Sequence, residues 1–432
     1  MSKKNTFSRR AFLGTTLAGV AGLTLIPGCG ISAPSDTLRL GFIGLGRQTM
    51  FLAGSFMKIK GVKVVAGSDV YGIKKERFAA RVKAYYEEIG EKSDVKTYDN
   101  YKDLLNRKDI DAVVIASPDH WHYHMATDAI SAGKDVYLEK PLTFTIAEGQ
   151  KLVKAVRSAD AILAVGSQQR SDDGFLHAIK MASGGNLGTI EKLNVFLGPN
   201  PHPAPYDLPE QELPSDLNWE EWLGPNPYVH YNSRLNPAIS LNPPENEEFW
   251  AEWRYYKEVG GGLMTDWGAH MFDIAQWGIG KELTGPSKVV PAGYEDNENL
   301  KFMYEDGLEM EVKPFDNNTK GVKFFGSKDW IEVSRGKFVS SNESLNPVVE
   351  ETDVPFEARS AHHVDFVKSV KDHIDPVAPV EIGHRTNTVC VLGNIAHWLG
   401  RPIEWDPKTE SFKNDAEASA FLTREYNNGY TL

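Results

Sequence analysis

The chain has 432 residues, 59 acidic and 47 basic side chains and a net charge of −12, which argues against nucleic acid or an anionic membrane as its partner. Hydrophobic content of 41% and aromatic content of 11% describe an ordinary globular protein, long enough for two domains with sizeable cores. Cys29 and Cys390 are the only cysteines, so no disulfide framework is expected.

Residues 1–36 stand apart from the globule. Ser8-Arg9-Arg10-Ala11-Phe12-Leu13 sets paired arginines before an apolar stretch that runs to Ile26 and is too short and Gly-rich for a stable membrane span. This reads as a twin-arginine export signal, with an ordinary secretory signal as the alternative. Ile26-Pro27-Gly28-Cys29 then resembles a lipoprotein box in which Cys29 would be acylated; Pro27 departs from that pattern and leaves simple cleavage nearby open. The expected location is outside the cytoplasm, periplasmic or anchored on the outer side of the cytoplasmic membrane or on the outer membrane.

Residues 37–165 read as a dinucleotide-binding domain. Leu38 to Ile43 is a first strand, followed by Gly44-Leu45-Gly46-Arg47-Gln48-Thr49 and a helical run. Gly44 permits the tight turn, and Gly46 lets a pyrophosphate approach amides at the helix amino terminus. Arg47 and Gln48 complete the candidate cofactor residues of this turn. Thr49 replaces the usual third glycine and is expected to loosen helix–strand packing. Val62 to Ser68 is the second strand, ending at Asp69, whose carboxylate suits both adenosine ribose hydroxyls and repels a 2′-phosphate. That favours NAD, while Lys74, Lys75 and Arg77 close behind keep NADP open. A buried strand over Ile110 to Ala116 closes on Ser117-Pro118-Asp119-His120-Trp121-His122. His120, His122 and His124 alternate as metal ligands on a strand would, but the residues from His124 have helical spacing, so the rings should not converge and no metal is expected.

The run Ala132-Gly133-Lys134-Asp135-Val136-Tyr137-Leu138-Glu139-Lys140-Pro141 ends a further strand with a charged pair, where open α/β sheets collect their ligands. Pro141 holds Lys140 extended and narrows where its ammonium points. This run resembles the Ala-Gly-Lys-x-Val-x-x-Glu-Lys-Pro signature of the glucose–fructose oxidoreductase and inositol dehydrogenase family (Gfo/Idh/MocA), and the other landmarks follow in order along nearly all of the mature chain. The resemblance implies that Ser117, Pro118 and His122 form the family's Thr/Ser-Pro-x-x-x-His turn on the nicotinamide side. It also implies that Glu139 binds the neighbouring ribose and that Lys140 is catalytic. A helix over Ala147 to Ala159 and a strand over Ile162 to Gly166 lead into Ser167-Gln168-Gln169-Arg170. Gln168 could meet the cofactor carboxamide and Arg170 substrate oxygens, or both could belong to a hydrogen-bonded turn.

Residues 166–432 read as an α+β substrate-binding and oligomerisation domain with a large, open, mostly antiparallel sheet, giving an α/β Rossmann protein with a second domain. Residues 199–244 hold eleven of the chain's 24 prolines, a long structured excursion. Six of the ten tryptophans (Trp219, Trp222, Trp250, Trp253, Trp267 and Trp277) cluster around it, as sugar platforms or as plugs holding the loop. Gly260-Gly261-Gly262 enters a helix that sets Asp266 and His270 one turn apart on one face, with Asp273 continuing the stripe. In the resembling family an Asp-x-x-x-His here supplies the lysine's partners, so Asp266 and His270 join Lys140 as catalytic candidates. Trp267 and Arg170 complete the substrate set. Short alternating segments between Val289 and Val333 with Asp306-Gly307 and Gly326-Ser327 turns predict antiparallel hairpins, and helices follow at Ser360 to Ile374 and Arg385 to Leu399.

The function this implies is hydride transfer between a sugar, glycoside or polyol hydroxyl carbon and a tightly bound nicotinamide. The oxidised ring's charge and partial burial would make Lys140 a usable proton acceptor or relay; whether Lys140 or His270 is the base stays open. Export implies a captive cofactor, loaded before crossing and restored in every cycle. An alternative is a redox-neutral NAD-dependent glycosidase, another a non-catalytic carbohydrate-binding lipoprotein. A homo-oligomer is expected by resemblance alone.

Overall fold

The structure is a computed structural model that describes residues 37–239, 241, 250–315, 319–347 and 357–432, with side chains from 360 in the last stretch. The expected export signal at Ser8 to Leu13 and the box ending at Cys29 lie outside the described residues.

Short apolar runs separated by amphipathic helices build a parallel sheet, because each strand is buried on both faces by the helices that connect it. In chain order the elements are β1 (Leu38–Ile43), α1 (Arg47–Met57), β2 (Val62–Ser68), α2 (Gly72–Glu88), β3 (Lys96–Tyr98), α3 (Tyr101–Leu105), β4 (Ala112–Ile115), α4 (His122–Ser131), β5 (Asp135–Leu138), α5 (Ile146–Ala159) and β6 (Leu163–Val165). The strands lie in the order β3-β2-β1-β4-β5-β6, and every pairing is parallel. The order reverses between β1 and β4, which opens a crevice beyond their carboxyl ends. Gly44 leaves β1 and Ser117 follows β4 there. α5 starts on a capping box in which Thr145 and Glu148 satisfy each other's backbone amides.

The second half continues through α6 (Asp173–Ser183), β7 (Ile190–Phe196), α7 (Trp219–Leu223), α8 (Gly262–Asp266), α9 (Gly268–Gly278), β8 (Lys288–Val290), β9 (Leu300–Met303), β10 (Glu309–Val312), β11 (Gly321–Gly326), β12 (Trp330–Ser334), β13 (Lys337–Ser340), α10 (Glu357–Asp372), α11 (Val380–Leu399), β14 (Ile403–Asp406) and β15 (Ser411–Phe412). Among the described residues its sheet runs β13-β12-β11-β7-β10-β9-β8-β14-β15, antiparallel except where β7 meets β10. Alternation along the strands sends Phe302, Phe324 and Val333 into a core with Phe272 and Ile274 of α9 and Val389 and Leu392 of α11. The other face carries a charged ladder, with Glu311 between Lys192 (2.8 Å) and Lys313 (3.1 Å).

The chain then returns to the first sheet. Phe366 of α10 is fully buried against Phe56 and Tyr137, and Ser55 Oγ lies 2.6 Å from His363 Nδ1. At the start of α11 a Cβ on Gly383 would stand 2.6 Å from Val165, so only glycine lets that helix approach β6. Residues more than 200 positions downstream thus help to close the dinucleotide half. The proline-rich excursion folds over the end of β2, where Gly72 N–H donates to Asp216 O and Asn218 N–H to Val70 O. Its Trp219 and Trp222 are buried and stacked, with ring centroids 4.4 Å apart; they are plugs.

Candidate active site

A cavity of about 660 Å³ runs along the strand ends from the glycine turn to Trp267 and is lined by both halves of the chain. At the turn, Gly44 has φ +80°, and a Cβ there would meet the Ser117 backbone nitrogen at 2.7 Å, so two strand-end loops touch only because glycine is present. Gly46, the residue before α1, has no atom within 4 Å of where its Cβ would stand, which leaves the helix amino terminus open to an anion. Thr49 corrects an expectation. Its side chain is fully buried and its hydroxyl donates to the Gly44 carbonyl, so it ties the helix to the turn instead of loosening it.

Asp69 accepts from the amides of Leu45 (2.7 Å) and Tyr71 (2.9 Å), which aims its carboxylate into the cavity and leaves acceptor capacity for ribose hydroxyls. The nearby cations are engaged. Lys74 is buried on Asn236, Lys75 pairs with Asp99, and Arg77 is buried with Nη2 3.5 Å from the Leu45 carbonyl. Arg47 lies over the Trp250 ring at 4.4 Å. Glu139, at the end of β5, accepts from Gln48 (3.0 Å) and Gln168 (3.3 Å); burial pushes its carboxyl up, against the pull of Lys140. Gln48, Glu139 and Gln168 therefore form one polar wall.

Ser117 and Pro118 line the cavity, whereas His122 sits beneath it. The His122 ring spans the Pro141 carbonyl (Nδ1, 2.7 Å) and the Ser117 carbonyl (Nε2, 3.0 Å), and burial holds it down at about 4. It braces the two strand-end turns against each other and is not a cavity wall. The other rings of the trio diverge. His120 faces the carbonyls of Trp222 and Val259, and His124 packs among Tyr123, Tyr426 and Tyr430. Among the described residues no three His, Cys, Asp or Glu side chains are grouped to hold a metal.

Lys140, Asp266 and His270 come together in this cavity. Lys140 Nζ lies 2.5 Å from Asp266 Oδ1 and donates to the Asp266 carbonyl at 3.0 Å, and the Lys140–Pro141 peptide is cis. Burial works to raise Asp266, but Lys140 and Arg254 outweigh it and hold the carboxyl at about 2, so Asp266 is a carboxylate. The expected continuous helix is broken: α8 ends at Asp266 and α9 begins at Gly268, with His270 in its first turn. Turned so that both of its ends are satisfied, the Gln169 amide donates to His270 Nδ1 (2.5 Å) and accepts from Arg335 Nε (2.9 Å) and Nη2 (2.7 Å). A neutral His270 then carries its proton on Nε2.

Arg170 and Asp273 turn away from the cavity. Arg170 forms a two-pronged pair with Asp273 (2.8 Å on each arm), adds Glu282 at 2.9 Å, and stacks on Trp277. Their side chains are 2% and 1% exposed, so the expectation of a substrate-binding Arg170 gives way to a structural ion pair. Sequence reasoning passed over Asp119, Gln169, Arg254, Lys320 and Arg335. Asp119, buried on the cavity wall one residue past the Ser-Pro turn, is pushed up by burial to about 7 against the pull of Lys140 and Arg254. Its place at a strand end was the signal available.

The residues present fit a dinucleotide, with an open helix start at Gly46, an acid at Asp69 and a polar wall at Glu139. The reversal of strand order, that cradle and the paired lysine beyond β5 define an NAD(P)-dependent oxidoreductase acting on CH–OH groups. Two family descriptions match, "Oxidoreductase family, NAD-binding Rossmann fold" over residues 38–167 and "Oxidoreductase family, C-terminal alpha/beta domain" over residues 203–432, and the chain belongs to the Gfo/Idh/MocA oxidoreductase family. An uncharacterized oxidoreductase, YrbE, of Bacillus subtilis is 25% identical over 342 residues, covering 77% of this chain and 82% of that protein. A glycosyl hydrolase family 109 protein of Shewanella sp. strain ANA-3 is 32% identical over 170 residues, 34% of this chain and 36% of that protein. In fold the chain is similar to scyllo-inositol dehydrogenase from Lactobacillus casei, solved with bound NAD(H) and scyllo-inositol, with a TM-score of 0.55 and 17% identity over 85% of this chain and 99% of that one.

Proposed function

We propose that the protein transfers a hydride between a CH–OH carbon of a sugar, glycoside or polyol and a captive nicotinamide. The observation that carries this reading is the Lys140–Asp266 ion pair, set with His270 in the cavity that begins at the glycine turn. Bound there, NAD would accept or return the hydride at its nicotinamide ring. The chain's own residues handle the proton. When the carbinol carbon loses hydride, its hydroxyl proton must leave too, and Lys140, entering this step as the neutral amine, accepts it and becomes an ammonium that the Asp266 carboxylate stabilises; in the reverse direction that ammonium returns the proton to the carbonyl oxygen. Asp266 keeps the ammonium aimed. His270, with Nδ1 occupied by Gln169, offers Nε2–H to the same oxygen and fixes the substrate while the proton moves. The engaged state of Lys74, Lys75 and Arg77 supports NAD over NADP.

The similarity to a family 109 glycosyl hydrolase favours a second reading, in which transient oxidation activates a glycoside and the cofactor returns to its starting state. We further place the protein outside the cytoplasm on the strength of residues 8–13, which requires a cofactor carried through export in the folded chain. Denaturing purified protein should release a stoichiometric nicotinamide nucleotide. Sugars and glycosides are then offered to the holoenzyme. Keto-sugar with a nicotinamide absorbance change marks an oxidoreductase, and released aglycone without net change marks the glycosidase. Bound sugar with neither product refutes catalysis and leaves a binding protein.

A further inference from the structure

The reacting end of the cavity carries more positive charge than its own chemistry uses. Lys140, Arg254, Lys320 and Arg335 all line it. Lys140 is spoken for by Asp266, and Arg254 Nε stands 3.7 Å from the same carboxylate oxygen. Glu139 faces Gln48 and Gln168 on the cofactor side. Lys320, just before β11, is half-buried, and its ammonium stands 4.2 Å from the centroid of the Trp267 ring. Among the described residues it has no hydrogen-bond or ion-pair partner. The Arg335 guanidinium lies over the same ring at 4.7 Å. Trp267 is therefore a platform for cations here, which leaves less of its face for a sugar ring.

Two cations brought to one indole in a half-enclosed cavity repel each other, and burial raises the cost of keeping both charged. Burial lowers the Lys320 ammonium most; the Asp266 carboxylate opposes this, and Arg335 and Lys140 add to the lowering. Acids line this end too: Asp266 is shared by Lys140 and Arg254, Glu139 is held by Gln48 and Gln168, and burial raises Asp119 towards its neutral form. A folded chain retains two cations on one indole at least cost when a further anion neutralises them. Neutral polyols give the Lys320 ammonium only hydroxyl oxygens, whereas a carboxylate or phosphate gives it a charge-assisted bond and offers a planar or branched acceptor to Arg335.

We propose that the substrate is an acidic sugar, whose anionic group is met by Lys320 and Arg335 beside Trp267 while its reacting carbinol faces Lys140 and His270. The turnover part of this proposal rests on the oxidoreductase reading above; the binding part does not.

The test is calorimetric titration of the holoenzyme with matched pairs: hexuronates and aldonates against the neutral hexoses and polyols, and hexose 6-phosphates against hexoses. At least one acid should bind ten times more tightly than its neutral partner or better, and Lys320→Met should shrink that ratio at least tenfold while Lys320→Arg restores it. Uronate preference and phosphate preference distinguish the two sources of the anion. Equal affinities within every pair, no binding of any acid, or a ratio indifferent to Lys320→Met would overturn the proposal. Selective binding of an acid with neither an absorbance change nor product would overturn the redox reading and leave the acid site standing.

Discussion

Asp119→Asn should stabilise the protein at neutral pH and leave it unchanged near pH 4. Asp119 is 4% exposed, and burial raises its carboxyl from the ordinary 3.8 to about 7, with Asp266 adding to the rise and Lys140 and Arg254 opposing it. Between those values the folded chain holds a proton that the unfolded chain releases. The stability this gives is complete below the unfolded value and is lost as pH rises through about 7. Roughly three pH units at 1.36 kcal/mol each amount to about 4 kcal/mol by pH 8. Asparagine keeps the shape and cannot ionise, so the difference between variant and wild type should grow from near zero at pH 4 to that order at pH 8. His120, His122 and His124 also titrate across this range, but they are common to both proteins and drop out of the difference. Denaturant midpoints measured at closely spaced pH, with cofactor occupancy held fixed, give the curve. A flat difference, or a variant that loses stability as pH rises, would show that Asp119 is ionised in the fold and that the charge account of this wall is wrong.

The two turn glycines should separate fold from ligand. Compared in their nucleotide-free forms, Gly44→Ala forces a Cβ against the Ser117 backbone at positive φ and should lower the melting temperature, whereas Gly46→Ala meets no protein atom and should melt as wild type yet bind added nucleotide at least tenfold more weakly. Equal melting of the two variants would count against the close approach of β1 and β4 loops. Arg170→Met should cost about 3–5 kcal/mol by stranding the buried Asp273 carboxylate, with Arg170→Met/Asp273→Leu recovering much of it and turnover per folded molecule holding. A raised KM with unchanged stability would return Arg170 to the substrate.

Five of the six parallel strands were legible because each is a mostly apolar run whose closing residues mark the ligand side, whereas β3, the short edge strand Lys96–Tyr98, carries no such run and was missed. The hairpins of β9 to β12 were legible through alternation and Asp306-Gly307. What stayed hidden depends on partners distant in sequence. Arg170 reads as a strand-end cation until Asp273 and Glu282, more than a hundred residues on, are placed around it. Thr49 departs from a motif, and only the folded turn shows its hydroxyl on Gly44. The break at Trp267 was invisible because helical spacing runs through it. Nothing in the local pattern singles out Lys320, just before β11, or Arg335, just after β12; only the folded sheet brings them to the cavity.

Single-turnover kinetics of Lys140→Ala and His270→Ala test the central claim most directly. Each holoenzyme is mixed with substrate and followed by nicotinamide absorbance, with bound nucleotide quantified in the same samples. Both variants should retain the nucleotide and react at least a hundredfold more slowly than wild type. Full-rate reaction in either one would contradict the account, because the proton path would then not run through that side chain.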